Sequence, residues 1–366
     1  MKRQVLVFAL IITLTALSPL NQVLAARGTP GSAEFGYGAH FNLDGAFAID
    51  AVRLASNLQL DWLAVDLSWQ SVAPKAGAVD WSRIDPVLQV ASNKQQAVMI
   101  SLTEAPDWVQ TPQGPDANLT AQFVLQLVQR YPKSIQAVEL FSGANTRQGW
   151  GRQPNPQAYQ KTWSSVQTTL QNSKINILLI AGGLRPVVSG TSASEAMDDL
   201  AFLQALYTAG GKNPVKIVSI QANDLTGDPL MAADKAENRV LRHYEEVRSV
   251  MLKNKQDASL VWITRLSPPT GAISVDDQKY QDLSNQSNWL NQAFGQLKSQ
   301  LYIGVAFMNG INPSQTPNTA ISLILPGEDY HPFYRSLRDL ITINRSDNST
   351  NRPGRAKDQP LQKSIK

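Results

Sequence analysis

Five carboxylates, Asp66, Glu104, Asp107, Glu139 and Asp224, fall on or just after runs of residues that read as strands. Two such groups in one site, one protonated and one ionised, are the usual tools of general acid–base catalysis. Glu104 paired with Glu139 or with Asp224 is the combination that could do this work. Asp66 and Glu139 also have a plainer use, as partners for buried polar groups. Arg265 ends another strand-like run and stays protonated at any working pH. Its guanidinium either pairs with Glu139, Asp66 or Glu104, as a buried cation must, or offers a fork of donors to a carboxylate ligand.

Trp69, Trp108 and Trp150, with Tyr37, stand at strand ends or in the following loops, where flat apolar faces can stack on a ring-shaped ligand. Capping the core is an equal use for each. His40 ends the first strand-like run, and Asn145 and Arg147 follow the fourth, as further contact candidates. The chain has three histidines, His40, His243 and His331, scattered along it, so no metal centre is expected. It has no cysteine, which excludes disulfides, thiol chemistry and Cys-ligated zinc. No G-x-S-x-G elbow and no phosphate loop is present, and no cofactor is expected.

Eight short apolar runs must position these residues: Phe35–Phe41, Trp62–Leu67, Ala97–Leu102, Ala137–Phe141, Ile175–Ala181, Lys216–Gln221, Leu260–Thr264 and Tyr302–Phe307. Most are continuous and rich in Val, Ile and Leu, as parallel strands covered on both faces are. Helical spacing fills the gaps. Phe123, Leu127 and Tyr131 share one face, and Leu290, Ala293, Phe294 and Leu297 share another. Asn118-Leu119-Thr120 and Asn155-Pro156 are expected helix starts. Eight strand–helix units predict a single-domain (β/α)8 barrel. A doubly wound sheet is the rival, weakened because no glycine-rich loop follows the first strand.

Residues 1–25 have the form of a secretory signal: basic Lys2 and Arg3, apolar Val5–Leu20, then Val23-Leu24-Ala25 before Ala26. Export to an extracytoplasmic site is the expectation, with membrane association only if this segment stays uncleaved. Residues 26–33 read as a linker, 34–343 as the barrel, and 344–366 as a disordered basic tail. The formal net charge of +4 comes from the signal and the tail, leaving a slightly acidic body. That argues against a nucleic-acid partner.

Several segments resemble the clan A glycoside hydrolases, the xylosidase- and cellulase-like barrels. Val138-Glu139-Leu140-Phe141-Ser142-Gly143-Ala144-Asn145 is similar to their V-E-I-W-N-E-P-N, and Leu260-Val261-Trp262-Ile263-Thr264-Arg265 to their W-I-T-E strand. Trp62 to Trp69 resembles W-V-R-I-D-L-S-W, and Gly77 to Asp85 resembles G-x-Y-D-W-S-x-L-D. Ala105-Pro106-Asp107-Trp108, Ala181-Gly182-Gly183-Leu184 and His331 to Leu337 resemble further strand ends and the closing helix. The resemblance spans about residues 34 to 341.

In that clan, retaining hydrolysis uses two carboxylates about 5–5.5 Å apart at the ends of the fourth and seventh strands. The resemblance places Gly143 at the acid/base and Arg265 at the nucleophile. It also implies Ala64 for a supporting Arg, Ser142 for the Asn before the acid, Gln221-Ala222-Asn223 for the strand-six region, and Phe307-Met308 near a sugar-platform Trp. The expectation is a catalytically inactive barrel that binds a glycan, of neutral or anionic type, or a protein partner at the former active-site face. The alternatives are an active O-glycosidase with relocated carboxylates, and an envelope scaffold that binds no sugar. His40, Trp69, Trp108, Asn145, Trp150 and Arg265 are the expected ligand contacts.

Overall fold

A computed structural model describes residues 27–43, 48–187, 190–210, 215–223, 225–233, 239–269, 278–312, 322–323 and 330–346. Its centre is a closed barrel of eight parallel strands: β1 Gly36–His40, β2 Trp62–Ser68, β3 Ala97–Thr103, β4 Ile135–Leu140, β5 Leu178–Leu184, β6 Ile217–Gln221, β7 Leu260–Leu266 and β8 Ile303–Met308. Each strand pairs with its sequence neighbours, and β8 closes on β1. All eight expected strands are present. β5 is displaced towards its C-terminus: it runs through Gly182 and Gly183, both at positive φ, where its register against β6 shifts.

Among the described residues eight longer helices surround the barrel: α1 Ala48–Leu58, α2 Asp85–Asn93, α3 Ala117–Arg130, α4 Pro156–Asn172, α5 Asp199–Thr208, α6 Tyr244–Lys253, α7 Gln278–Lys298 and α8 Phe333–Ser346; Trp69–Val72 and Arg147–Trp150 each add a single helical turn at the strand ends. α4 starts as the sequence implies: Asn155 Oδ1 accepts from the Ala158 amide, and Pro156 takes the first helical position. α3 starts slightly earlier than expected. Its cap is Asp116, whose carboxylate accepts from the amides of Asn118 and Leu119. Among the described residues no helix is long and apolar enough to cross a membrane.

Strand alternation sorts the side chains. Leu63, Val65 and Leu67 of β2 and Val98, Ile100 and Leu102 of β3 face the helices and join the main core. Trp62, Ala64, Met99, Ala137, Ile180, Ile217, Leu260, Trp262, Val305 and Phe307 form the core inside the barrel. Two residues on from such positions, towards the C-terminal ends, the interior turns polar: Asp66, Ser101, Glu139, Ser219, Gln221 and Thr264.

Residues 27–33, expected as a linker, instead pack against the base of the barrel. The indole N–H of Trp62 donates to the Arg27 carbonyl, and that of Trp262 donates to the Gly28 carbonyl, each at 2.9 Å. Arg27 also pairs with Glu34 at 2.7 Å. Two buried indole donors need acceptors at the barrel base, and this segment supplies them. Residues 1–26 and 347–366, which include the expected signal and nearly all of the expected tail, lie outside the described residues.

Candidate functional site

A cavity of about 660 Å³ opens at the C-terminal ends of the strands. Asp66 and Ser68 of β2, Thr103 and Glu104 at the end of β3, Ser142 and Gly143 after β4, Arg185 after β5, Gln221 of β6 and Arg265 of β7 line it. This is the face on which (β/α)8 barrels carry their sites.

Backbone conformation decides what reaches the cavity. Trp262 faces the barrel interior, so alternation puts Thr264 inside and would send Arg265 outwards. Arg265 instead has a left-handed φ of 56°, which breaks the pleat and lets its side chain enter the cavity. Glu104 (φ 47°) and Phe141 (φ 55°) are left-handed in the same way at the ends of β3 and β4. Such conformations cost about 1–3 kcal/mol each and gather where a site is built.

Arg265 and Asp66 form a two-pronged ion pair, with Nη1–Oδ2 at 2.8 Å and Nη2–Oδ1 at 2.6 Å. Burial opposes ionisation of Asp66, but the charge and hydrogen bonds of Arg265 outweigh it and hold the carboxyl below its ordinary range. Ser142 Oγ lies 3.4 Å from Arg265 Nη2 and accepts from Gln221 Nε2 at 3.1 Å. Gln221 Nε2 also donates to the Gly183 carbonyl. The network therefore ties β2, β4, β5, β6 and β7 together at the cavity floor.

Of the candidate acid–base residues among the described ones, Asp66 and Glu104 line the cavity, and Asp66 is engaged by Arg265. Glu139 is fully buried in the barrel, where its Oε2 accepts from Ser101 Oγ at 2.7 Å. It therefore does not share the cavity with Glu104. Asp107 is exposed but lies away from the lining, and Asp224 is outside the described residues. Among the described residues no group of three or more His, Asp and Glu could hold a metal ion.

Most of the expected ligand contacts serve the fold instead. Trp69 turns inwards and stacks on Phe123, with ring centroids 4.5 Å apart. Trp150 is buried, packs edge-on against Phe141 and donates to the Gln113 carbonyl. Buried Asn145 joins loops: its amide donates to the Arg185 and Met197 carbonyls and its oxygen accepts from the Arg185 amide. His40 is buried beneath the cavity, edge-on to Phe307. Burial, aided by the charge of Arg265 and opposed by Asp66, depresses its pKa to about 3, so the ring is neutral. Trp108 is 37% exposed, but its indole donates to the Ala73 carbonyl and it is not in the lining. Tyr37 stacks on Phe294 in the core. Of the six expected contacts, only Arg265 lines the cavity.

Arg83, Gln148 and Arg185, which are not among the residues expected at the site, line the cavity and are exposed. Their positions gave a signal. Arg185 directly follows the Gly182-Gly183-Leu184 strand end, and Gln148 falls in the loop after β4.

No family model matches the chain, and no curated protein matches it. Solved structures do. An endo-beta-1,4-glucanase from Xanthomonas axonopodis pv. citri is 13% identical, with a TM-score of 0.55, covering 83% of this chain and 98% of that one. Xylanase 10B from Thermotoga maritima is 11% identical, with a TM-score of 0.57, covering 85% and 96%. The intracellular xylanase TsXylA from Thermoanaerobacterium saccharolyticum is 14% identical, with a TM-score of 0.54, covering 83% and 95%. Identities this low carry the fold alone. The chain thus has the eight-stranded parallel barrel of the clan A glycoside hydrolases, to which these cellulases and xylanases belong.

Proposed function

We propose that this chain is an exported, non-catalytic barrel that binds a glycan in the cavity at the C-terminal ends of its strands. The Asp66–Arg265 pair supports this reading most directly. Among the described lining residues the carboxylates are Asp66 and Glu104. Asp66 is held ionised by Arg265, and Glu104 has no second free carboxylate beside it in that lining. Glycoside hydrolysis in its usual form requires two carboxyl groups in separate roles. The cavity nevertheless stays open at about 660 Å³, which favours a binding role over a filled scaffold. Export rests on the basic, apolar and small-residue order of residues 1–25.

The test combines a glycan array with a sensitive turnover assay on aryl glycosides, xylan and a soluble cellulose. Binding without turnover is the expected result. Hydrolysis by the unmodified protein would overturn the reading in favour of relocated carboxylates. Binding of a protein but of no glycan would replace the ligand class.

A further inference from the structure

The end of the barrel opposite the cavity carries its own charge pattern. Six exposed lysines stand where a helix leads into the next strand: Lys94 before β3, Lys133 before β4, Lys174 before β5, Lys216 before β6, and Lys253 and Lys255 before β7. Strands β3 to β7 are consecutive in the barrel, so these connections form one continuous arc at its base. None of the six side chains has an ion-pair partner among the described residues. Acidic groups at this end are fewer. Asp257 is exposed, whereas Glu34 and Asp61 are drawn to Arg27. The cavity end mixes its signs: exposed Glu104, Asp107 and Glu195 stand there with exposed Lys75, Arg83 and Arg147.

Helix stability does not account for the arc. A cation favours the helix dipole only within the last turn, and of the six only Lys253 lies in one. Lys174 and Lys255 hold left-handed φ angles of 55° and 59°, where glycine is the favoured residue and a side chain is strained. Two exposed leucines, Leu252 and Leu301, share this end. The chain also enters the barrel here, through residues 27–33 held by Trp62 and Trp262. In the sequence the apolar run Val5–Leu20 lies ahead of that entry.

We infer that the base of the barrel docks on an anionic lipid surface, whatever the cavity binds. The ammonium groups meet lipid phosphates as mobile point charges, and the leucines reach the headgroup boundary. Each lysine close to an anionic bilayer contributes about fivefold in affinity. A polynucleotide fits this face less well, because single strands bind through stacking on aromatic rings. The exposed aromatic residues among those described, Trp108 and Tyr330, lie at the other end.

The experiment is co-sedimentation with phosphatidylcholine vesicles, with and without phosphatidylglycerol. It uses the full chain and three variants that each remove three charges. Lys133→Gln/Lys174→Gln/Lys216→Gln acts on the base, Lys75→Gln/Arg147→Gln/Lys161→Gln on the rest of the barrel, and Lys357→Gln/Lys363→Gln/Lys366→Gln on the C-terminal segment. Glutamine already holds the left-handed conformation at Gln59 and Gln95, so Lys174→Gln should fold, and circular dichroism checks this. The full chain should bind the phosphatidylglycerol vesicles more tightly, and added salt should weaken that preference. The base variant should lose about tenfold or more of the affinity for them, and the other two variants about threefold or less. Equal binding to both vesicle types, or to neither, overturns the inference. So does a loss shared evenly by the three variants or confined to the C-terminal one. Single-stranded RNA that binds the protein more tightly than the vesicles do, through the same three base lysines, would reassign the face to a polynucleotide and overturn it as well. Glycan binding at the cavity is read separately, on the array.

Discussion

Arg265 and Asp66 face each other through two hydrogen bonds, at 2.6 and 2.8 Å, between strands that are not neighbours in the barrel. β2 and β7 stand apart in the strand order, so the pair spans the floor instead of running along a sheet edge. Its partners are only partly covered, with side-chain exposures of 18% for Arg265 and 43% for Asp66. Asp66→Ala should cost about 1–3 kcal/mol, less than a fully buried pair because water reaches the carboxylate. Asp66→Leu/Arg265→Leu should recover much of this loss, since it leaves no unmatched charge. Urea denaturation of the single and double variants checks both expectations, and a double variant weaker than Asp66→Ala would contradict them.

The loop after β4 depends on two glycines for different reasons. Gly143 has a φ of 80°, and an added Cβ would meet Thr146 Oγ1 at 3.3 Å. Gly143→Ala should therefore cost about 1–2 kcal/mol, mainly through backbone strain. At Gly149 an added Cβ would run into the Gly143 carbonyl oxygen, which is backbone and cannot step aside. Gly149→Ala should cost more, about 3 kcal/mol. Thermal denaturation should rank them in that order. The same strain falls on Gly143→Glu, so an acid restored there must also stabilise a left-handed backbone.

Acidity should stabilise the junction of α5 and α6. His243 is buried with Nε2 at 2.6 Å from Asp199 and Nδ1 at 2.8 Å from Glu246. Burial works against a charged ring, but the hydrogen bonds and charges of Asp199 and Glu246 outweigh it and raise the pKa above its ordinary 6.5. A raised folded value gives stability that is fully present below the unfolded value and is lost as pH rises through the folded one. His243→Gln should remove that part of the pH dependence. Denaturation midpoints at about pH 5 and about pH 9 measure it, and an unchanged difference between them would refute the assignment.

Trp262→Phe removes the donor to the Gly28 carbonyl while keeping most of the apolar bulk. A loss of about 1 kcal/mol from the hydrogen bond is expected. Trypsin should then cut after Arg27 faster than in the parent protein, because the segment is held less tightly. Trp62→Phe, which frees the Arg27 carbonyl, should act in the same direction.

The strands were legible because burial on both faces leaves continuous apolar runs, and all eight emerged from that pattern. The fifth was read too early: Ile175 and Ile177 extend the apolar run, whereas the glycines that end the strand carry no side chain to mark it. The site was less legible. A Trp in a loop after a strand has two faces of the barrel open to it, and nothing local to Trp69 says that Phe123, on a helix distant in sequence, will be its stacking partner. The sequence offers Arg265 two uses, an ion pair with Asp66, Glu104 or Glu139 and a fork of donors for an anionic ligand. Choosing among them required the left-handed turn at Arg265, which a sequence pattern does not encode. Arg83 and Arg185 went unnoticed because single exposed arginines in loops look like ordinary solubilising residues.

The packing of residues 27–33 under the barrel gives the molecule a polarity of attachment. The chain enters the structure at the base, beside Trp62 and Trp262, while the cavity opens at the opposite end. Anything joined ahead of Arg27, whether a surface, a bead or another protein, would hold the barrel by its closed end and leave its mouth facing outwards.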